Sequence, residues 1–270
     1  MLNVIVILGP RRTGTTLPNQ ILCNAPDTNP HIGECQLLTR ICSTFKWAQD
    51  SYDRVVQWYF DNPQAMQVYF KGQVNEFLRI AAEHHDGVSN LVLKSPELSN
   101  YKCELDALIP EARQIVCIRD PRDQIASELQ VGKRQLEKGI DADSARAYKS
   151  RNIELLCRKY LKSYESVLQG ESANTMIVRY EDILLDLQTT LSTLEEFTRL
   201  QLSGFNPDSS WTRFEHKEHL SKMPAYVEQY GSPLDKSRVG RYRQSLSQNE
   251  IALIEKECHS ILSDRYSEQQ

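Results

Sequence analysis

The chain has 270 residues, 40% hydrophobic and 25% charged, enough to enclose a sizeable core and too apolar for a disordered chain. Its net charge of −4 argues against bulk attraction to nucleic acid or an anionic membrane, so any anion site must be a local concentration of cations. Seven cysteines, an odd number with no C-x-x-C pair, predict reduced thiols in a cytoplasmic protein rather than a disulfide framework or zinc site. No stretch approaches the length of a membrane span, and an apolar run from residue 2 leaves no room for a signal peptide. One α/β domain over residues 1–270 is expected.

Residues 2–8 (LNVIVIL) predict a strand buried on both faces, as in a parallel sheet. Gly9-Pro-Arg-Arg-Thr-Gly-Thr-Thr16 follows, with a helix predicted from the paired threonines. Gly9 and Gly14 permit a tight turn with inward N–H groups, and the helix adds its positive end. Together these make a candidate anion site. The G-x-x-x-x-G spacing is that of a nucleotide phosphate loop, but Thr15 stands where that motif requires Lys. The positive charge lies earlier, at Arg11 and Arg12. Such a loop is not built for a magnesium triphosphate. A strand, turn and helix that hold no nucleotide are the other reading.

Residues 24–30 are rich in turn formers and lead to His31-Ile-Gly-Glu34. Residues 35–60 are predicted helical with a break near Asp50, and a second helix starts at Pro63 and ends near His85. His84 and His85 are adjacent, so they do not share a helix face and read as a solvated helix end. Short strands are predicted at 91–93, 114–118 and 175–178, with Cys117 a small core residue. Helices are predicted at 99–109, from Pro121 to about Val131, at 142–168 as one long amphipathic helix, and at 183–199. Residues 133–138 read as a mixed-charge loop. From 201 to 242 the periodicity is lost. His216 and His219 have helical spacing, but no cysteine or carboxylate cluster accompanies them, so no metal site is predicted. A last helix is expected at 247–262, with Ser247 as its N-cap.

Strands alternating with helices imply an open parallel sheet flanked by helices on both faces, which binds ligands at the carboxyl ends of its strands. Each predicted strand ends on a cation: Arg11 and Arg12, Lys94, Arg119, and Arg179. If the strands are neighbours, these charges converge on one rim.

Pro10-Arg-Arg-Thr-Gly-Thr-Thr16 resembles the 5′-phosphosulfate loop of sulfotransferases that use 3′-phosphoadenosine 5′-phosphosulfate, with an extra Arg11 before Arg12. The resemblance implies a P-loop-like fold and a donor held by Arg11, Arg12, Thr13, Gly14, Thr15 and Thr16. Leu91-Val-Leu-Lys-Ser-Pro96 looks like the family segment whose lysine faces the transferring group, here Lys94. Arg119 and Ser127, eight residues on, are similar to the family pair that holds the 3′-phosphate. Val178-Arg-Tyr-Glu-Asp182 resembles the strand end beside the nucleotide, which implies Tyr180. Arg238-Val-Gly-Arg-Tyr242 resembles the C-terminal segment that closes over the 3′-phosphate, which implies Arg238, Gly240 and Arg241. Tyr242 stands where the family often has Trp.

Gly33-Glu34 resembles the segment that supplies the catalytic carboxylate in tyrosylprotein sulfotransferases and related bacterial and carbohydrate enzymes. The segments span residues 2–242 in the family's order. They imply a sulfuryl transfer to an acceptor hydroxyl on a tyrosine, a sugar or a small natural product. Glu34 would be the general base, with Arg12 and Lys94 stabilising charge on the leaving oxygen. The product would be adenosine 3′,5′-bisphosphate, and no metal is expected. The alternatives are a P-loop kinase acting on a small hydroxyl compound and a non-catalytic nucleotide-binding protein. The other reading of Glu34 is a plain carboxylate at a helix start, favoured there by the dipole.

Overall fold

Four strands form the sheet: β1 (Asn3–Leu8), β2 (Asn90–Lys94), β3 (Arg113–Ile118) and β4 (Thr175–Arg179). All pair in parallel in the order β2-β1-β3-β4, so each predicted strand is present. The computed structural model describes residues 2–168, 172–207 and 234–266. His216 and His219, with most of the irregular 201–242 region, lie outside the described residues.

The helices of the first half are α1 (Thr16–Leu22), α2 (Gln36–Asp50), α3 (Pro63–His84), α4 (Lys102–Leu108) and α5 (Pro121–Glu137). Then come α6 (Asp143–Ser150), α7 (Ile153–Leu168), α8 (Tyr180–Leu185), α9 (Leu187–Thr198), α10 (Gln248–Glu257) and α11 (His259–Tyr266). Both faces of the sheet are covered. Val4, Val6, Leu8, Leu91, Leu93, Val116 and Ile118 enter a core shared with α2–α7, α10 and α11. Ile5, Ile7, Val92, Ile115, Cys117 and Val178 enter a second core, under α1, α8 and α9. Burial on both faces is why the strands read as apolar runs without alternation.

Helix boundaries depart from expectation in five places. Residues 133–137 are not a loop but the last turns of α5, held by the burial of Val131 and Gln135. The helix expected at 142–168 is two, because Arg151 takes a left-handed conformation (φ 44°) that caps α6. Asp186 likewise divides 183–199, and Cys258 divides 247–262. Residues 96–101 form a 3₁₀ turn ahead of α4. An apolar stripe continues across a break of one or two residues, so periodicity does not register it. The caps agree with expectation. Asn62 accepts from the Ala65 amide with Pro63 at the first position, and Ser247 forms a capping box with Glu250.

From β1 the chain crosses to β2 on one side, then returns to β3 on the other. The reversal opens a crevice at the carboxyl ends of β1 and β3, where open parallel sheets place ligands.

Candidate active site

The loop after β1 is shaped by three residues with positive φ. Gly9 (φ 141°) is close-packed: a Cβ there would lie 2.8 Å from the Cys117 carbonyl oxygen, and its amide donates to Ser99 Oγ at 2.7 Å. Gly14 (φ 90°) lies against the Tyr180 ring, which a Cβ would overlap. Between them Arg12 is left-handed (φ 71°), a conformation costing an L-residue about 1–2 kcal/mol. Thr13 steadies the turn through its hydroxyl, which donates to the Pro10 carbonyl at 2.8 Å, and Gln124 donates to the Arg11 carbonyl at 2.9 Å. Thr15 is buried before α1, and no side chain caps that helix; the Leu17 amide donates to the Gly14 carbonyl at 2.9 Å and the Asn19 amide to the Thr15 carbonyl at 3.3 Å.

Arg119, at the end of β3, is 9% exposed and reaches two segments at once. Nη1 donates to the Arg12 carbonyl at 3.3 Å and Nη2 to the Arg238 carbonyl at 3.5 Å, with the guanidinium 4.5 Å over the Tyr180 ring. Its Nε is buried with no hydrogen-bond partner among the described residues, a costly state for a charged donor unless an anion completes it. Arg12 Nε donates to Ser127 Oγ at 3.3 Å, joining the loop to α5. Arg238 pairs with Asp235 at 3.2 Å and Arg241 is exposed, both on the strap that contains Gly240 (φ 74°). Tyr180 is buried beneath this cluster, so it supports Gly14 and Arg119 from below.

Glu34 is brought to the sheet by residues upstream of it. Thr28 bridges Asn90, and the Asn29 side chain bonds both the amide (2.6 Å) and carbonyl (3.0 Å) of Val92, so the segment runs along the free edge of β2. The Cys35 amide donates to the Lys94 carbonyl at 2.8 Å. Lys94, with 3% of its side chain exposed, then meets Glu34 at 3.1 Å, whose own side chain is 44% exposed. His31 is buried, with Nδ1 2.7 Å from Asn19. Burial, and then the charge of Lys94, hold its imidazole down to about 3, so it stays neutral.

The profile of the sulfotransferase family matches residues 4–204, three quarters of the chain and all four strand ends. The chain belongs to the sulfotransferase family. Its fold is shared with the sulfotransferase domain from the curacin biosynthetic pathway, at 18% identity over 96% of this chain and 98% of that one, TM-score 0.54. The sulfotransferase domain from the Synechococcus PCC 7002 olefin synthase is similar at 17% identity over 95% of each chain, TM-score 0.55. No curated protein sequence matches the chain.

In this sulfotransferase the loop, Lys94, Glu34, Arg119, Ser127 and the strap lie along the carboxyl edge of the sheet. Arg179 does not join them. It pairs with Asp182 at 2.5 Å, donates to the Arg265 carbonyl and stacks 5.3 Å over Tyr266, so the fourth cation ties β4 to α11. Its strand is one place removed from the β1–β3 crevice, and Asp182, three residues on, captures it.

Other residues at this candidate site escaped the sequence reading. Ser99 and Gln124 brace the loop. Asp123 accepts from the Gly240 and Tyr242 amides, and Glu181 accepts from the Asp120 amide at 3.0 Å. Asp123 and Glu181 stand inside the segments that carry the resemblance, and that position was the available signal. Among the described residues no cluster of His, Cys, Asp and Glu could hold a metal, no helix is long and apolar enough to cross a membrane, and none of the seven cysteines is in a disulfide.

Proposed function

We propose that this sulfotransferase moves the sulfuryl group of 3′-phosphoadenosine 5′-phosphosulfate to an acceptor hydroxyl, with Glu34 as general base. The observation that carries the reading is the Lys94–Glu34 pair. A cation almost wholly buried at a strand end is matched with a carboxylate still open to solvent, 3.1 Å away. A buried lysine is available to developing negative charge, and a half-exposed carboxylate is reachable by an incoming hydroxyl.

The chain's own groups suit such a donor. Its 5′ end fits the loop Arg11, Arg12, Thr13, Gly14, Thr15 and Thr16, where two glycines let the backbone approach closely. Its 3′-phosphate fits Arg119, Ser127, Arg238 and Arg241, and would supply the buried Arg119 Nε with its missing acceptor. Tyr180 holds Arg119 in place. The acceptor O–H passes its proton to Glu34 as its oxygen bonds to sulfur. The bond from sulfur to the nucleotide phosphate oxygen breaks, leaving adenosine 3′,5′-bisphosphate. Arg12, Lys94 and the loop amides stabilise the charge on that oxygen. A sulfuryl group carries less charge than a phosphoryl group, so fixed cations suffice. The acceptor is a hydroxyl of a tyrosine, a sugar or a small natural product, and thiols without a disulfide suit the cytoplasm.

Thermal unfolding with added nucleotides tests the donor. Adenosine 3′,5′-bisphosphate raises the melting temperature by mass action, well beyond 5′-AMP or ATP with Mg²⁺. Equal stabilisation by ATP with Mg²⁺ would favour a kinase instead. Mass spectrometry of acceptor libraries incubated with the donor then identifies the sulfated product.

A further inference from the structure

An acidic side chain buried inside an anion site requires a reason. Asp123 is 3% exposed, in the first turn of α5 and four residues after Arg119. Each of its carboxylate oxygens takes one backbone amide of the strap: Oδ2 from Gly240 at 2.7 Å and Oδ1 from Tyr242 at 2.8 Å. Arg241 lies between those two amides, and Arg238 two residues before them. Gly240 is left-handed (φ 74°), and a Cβ there would meet the Arg243 guanidinium. Next to it Tyr242 is 4% exposed, its ring between Arg122 (4.8 Å) and Arg243 (4.7 Å). Arg122 is itself fixed by Asp120 and Glu255, at 2.6 and 2.7 Å.

We propose that Asp123 is a positioning residue for donor recognition: it docks the strap on α5 so that Arg238 and Arg241 meet the 3′-phosphate. The proposal rests on the donor assignment above. Two charge-assisted hydrogen bonds, one per oxygen, fix both position and direction of the turn. Burial pushes the Asp123 carboxyl up, while Arg119 and the two amides pull it down.

The two roles open to Asp123 predict opposite signs. Acting only as a charge, it repels the 3′-phosphate, and Asp123→Asn tightens binding. Acting as a positioner, it is needed: asparagine has one acceptor oxygen for two amides, the turn loosens, and binding weakens. Calorimetry would measure adenosine 3′,5′-bisphosphate and 5′-AMP against the wild type, Asp123→Asn, Arg238→Ala/Arg241→Ala and the triple variant. Asp123→Asn is expected to lose roughly tenfold in affinity for the bisphosphate and little for 5′-AMP. The donor KM rises by the same factor, more than kcat changes. In the Arg238→Ala/Arg241→Ala background the substitution has almost no further effect, because the residues it positions are gone. Gly240→Ala, which strains the same turn without altering Asp123, produces the same selective loss and serves if Asp123→Asn does not fold. Bisphosphate affinity that is unchanged or tighter in both folded variants overturns the proposal, as does an equal loss for both nucleotides. A wild type that binds the bisphosphate no better than 5′-AMP overturns the donor assignment, and the proposal with it.

Discussion

At the residue scale, Glu34 and Lys94 divide two tasks that single substitutions separate. A base acts only while the acceptor proton moves, so Glu34→Gln should keep bisphosphate affinity and lose about 10²–10⁴-fold in turnover. Lys94→Ala should lose turnover through missing charge stabilisation and weaken the nucleotide as well. His31, three residues before Glu34, is the other group that could take a proton, but burial keeps it a weak base, down to about 3. His31→Asn should therefore leave turnover of the folded enzyme near normal. It should cost roughly 1–3 kcal/mol of stability through the lost bond to Asn19. Sulfation rates for the three variants check this; a dead His31→Asn beside an active Glu34→Gln would transfer the role of base. Glu34 was legible as a candidate because a carboxylate after a glycine is visible in the chain. Its pairing with a buried lysine 60 positions away was not.

At the element scale, the α5–α6 pair shows where helical pattern alone misleads. From the sequence, residues 133–138 read as a mixed-charge loop. In the fold Gly132 faces the start of α6, and a Cβ there would fall on the Ser144 carbonyl and crowd Tyr148. Helix propensity favours Gly132→Ala by about 1 kcal/mol, and overpacking costs about 1–3 kcal/mol. The contact is with backbone, which cannot rotate away, so the clash should win. Gly132→Ala is expected to lower stability by about 1–2 kcal/mol in urea unfolding, and an increase would mean that α6 shifts without cost.

For the whole molecule, two buried titratable groups oppose one another across pH. Burial and Lys94 hold His31 down from 6.5 to about 3, so the unfolded chain takes up its proton first and stability is lost as pH falls through that range. Burial pushes Glu181 up from 4.5 to about 7, partly offset by the Asp120 amide. The unfolded chain therefore ionises first, and stability is lost as pH rises from 4.5 to about 7. Between 4.5 and 6.5 the two slopes cancel in the wild type. Glu181→Gln should expose the His31 slope, with stability rising with pH in that window, and His31→Asn should expose the reverse. Urea unfolding across the window reads both; parallel curves for all three proteins would contradict the assignment. Glu181 also accepts from the Tyr266 hydroxyl at 3.2 Å, so its carboxyl joins the ends of β3 and β4 to α11.

The sequence by itself determined the alternation of four apolar strands with helices, hence the parallel sheet, and the glycine-threonine loop with cations at the strand ends. Those features are local: backbone conformation at Gly9 and Gly14, continuous apolar runs, and residue types at fixed spacing are written in neighbouring positions. Only the tertiary structure decided which cations share a site. Strand order put Arg12, Lys94 and Arg119 around the crevice, whereas Arg179, another arginine at a strand end but in register with Ile118 rather than Arg119, was captured by Asp182 and Tyr266. It also gave Asp123 its partners 117 and 119 residues away, and gave Arg12 its left-handed backbone. A side chain's partner depends on sheet order and on which of its neighbours wins it, and the residues of its own strand end supply the competitors without saying which prevails.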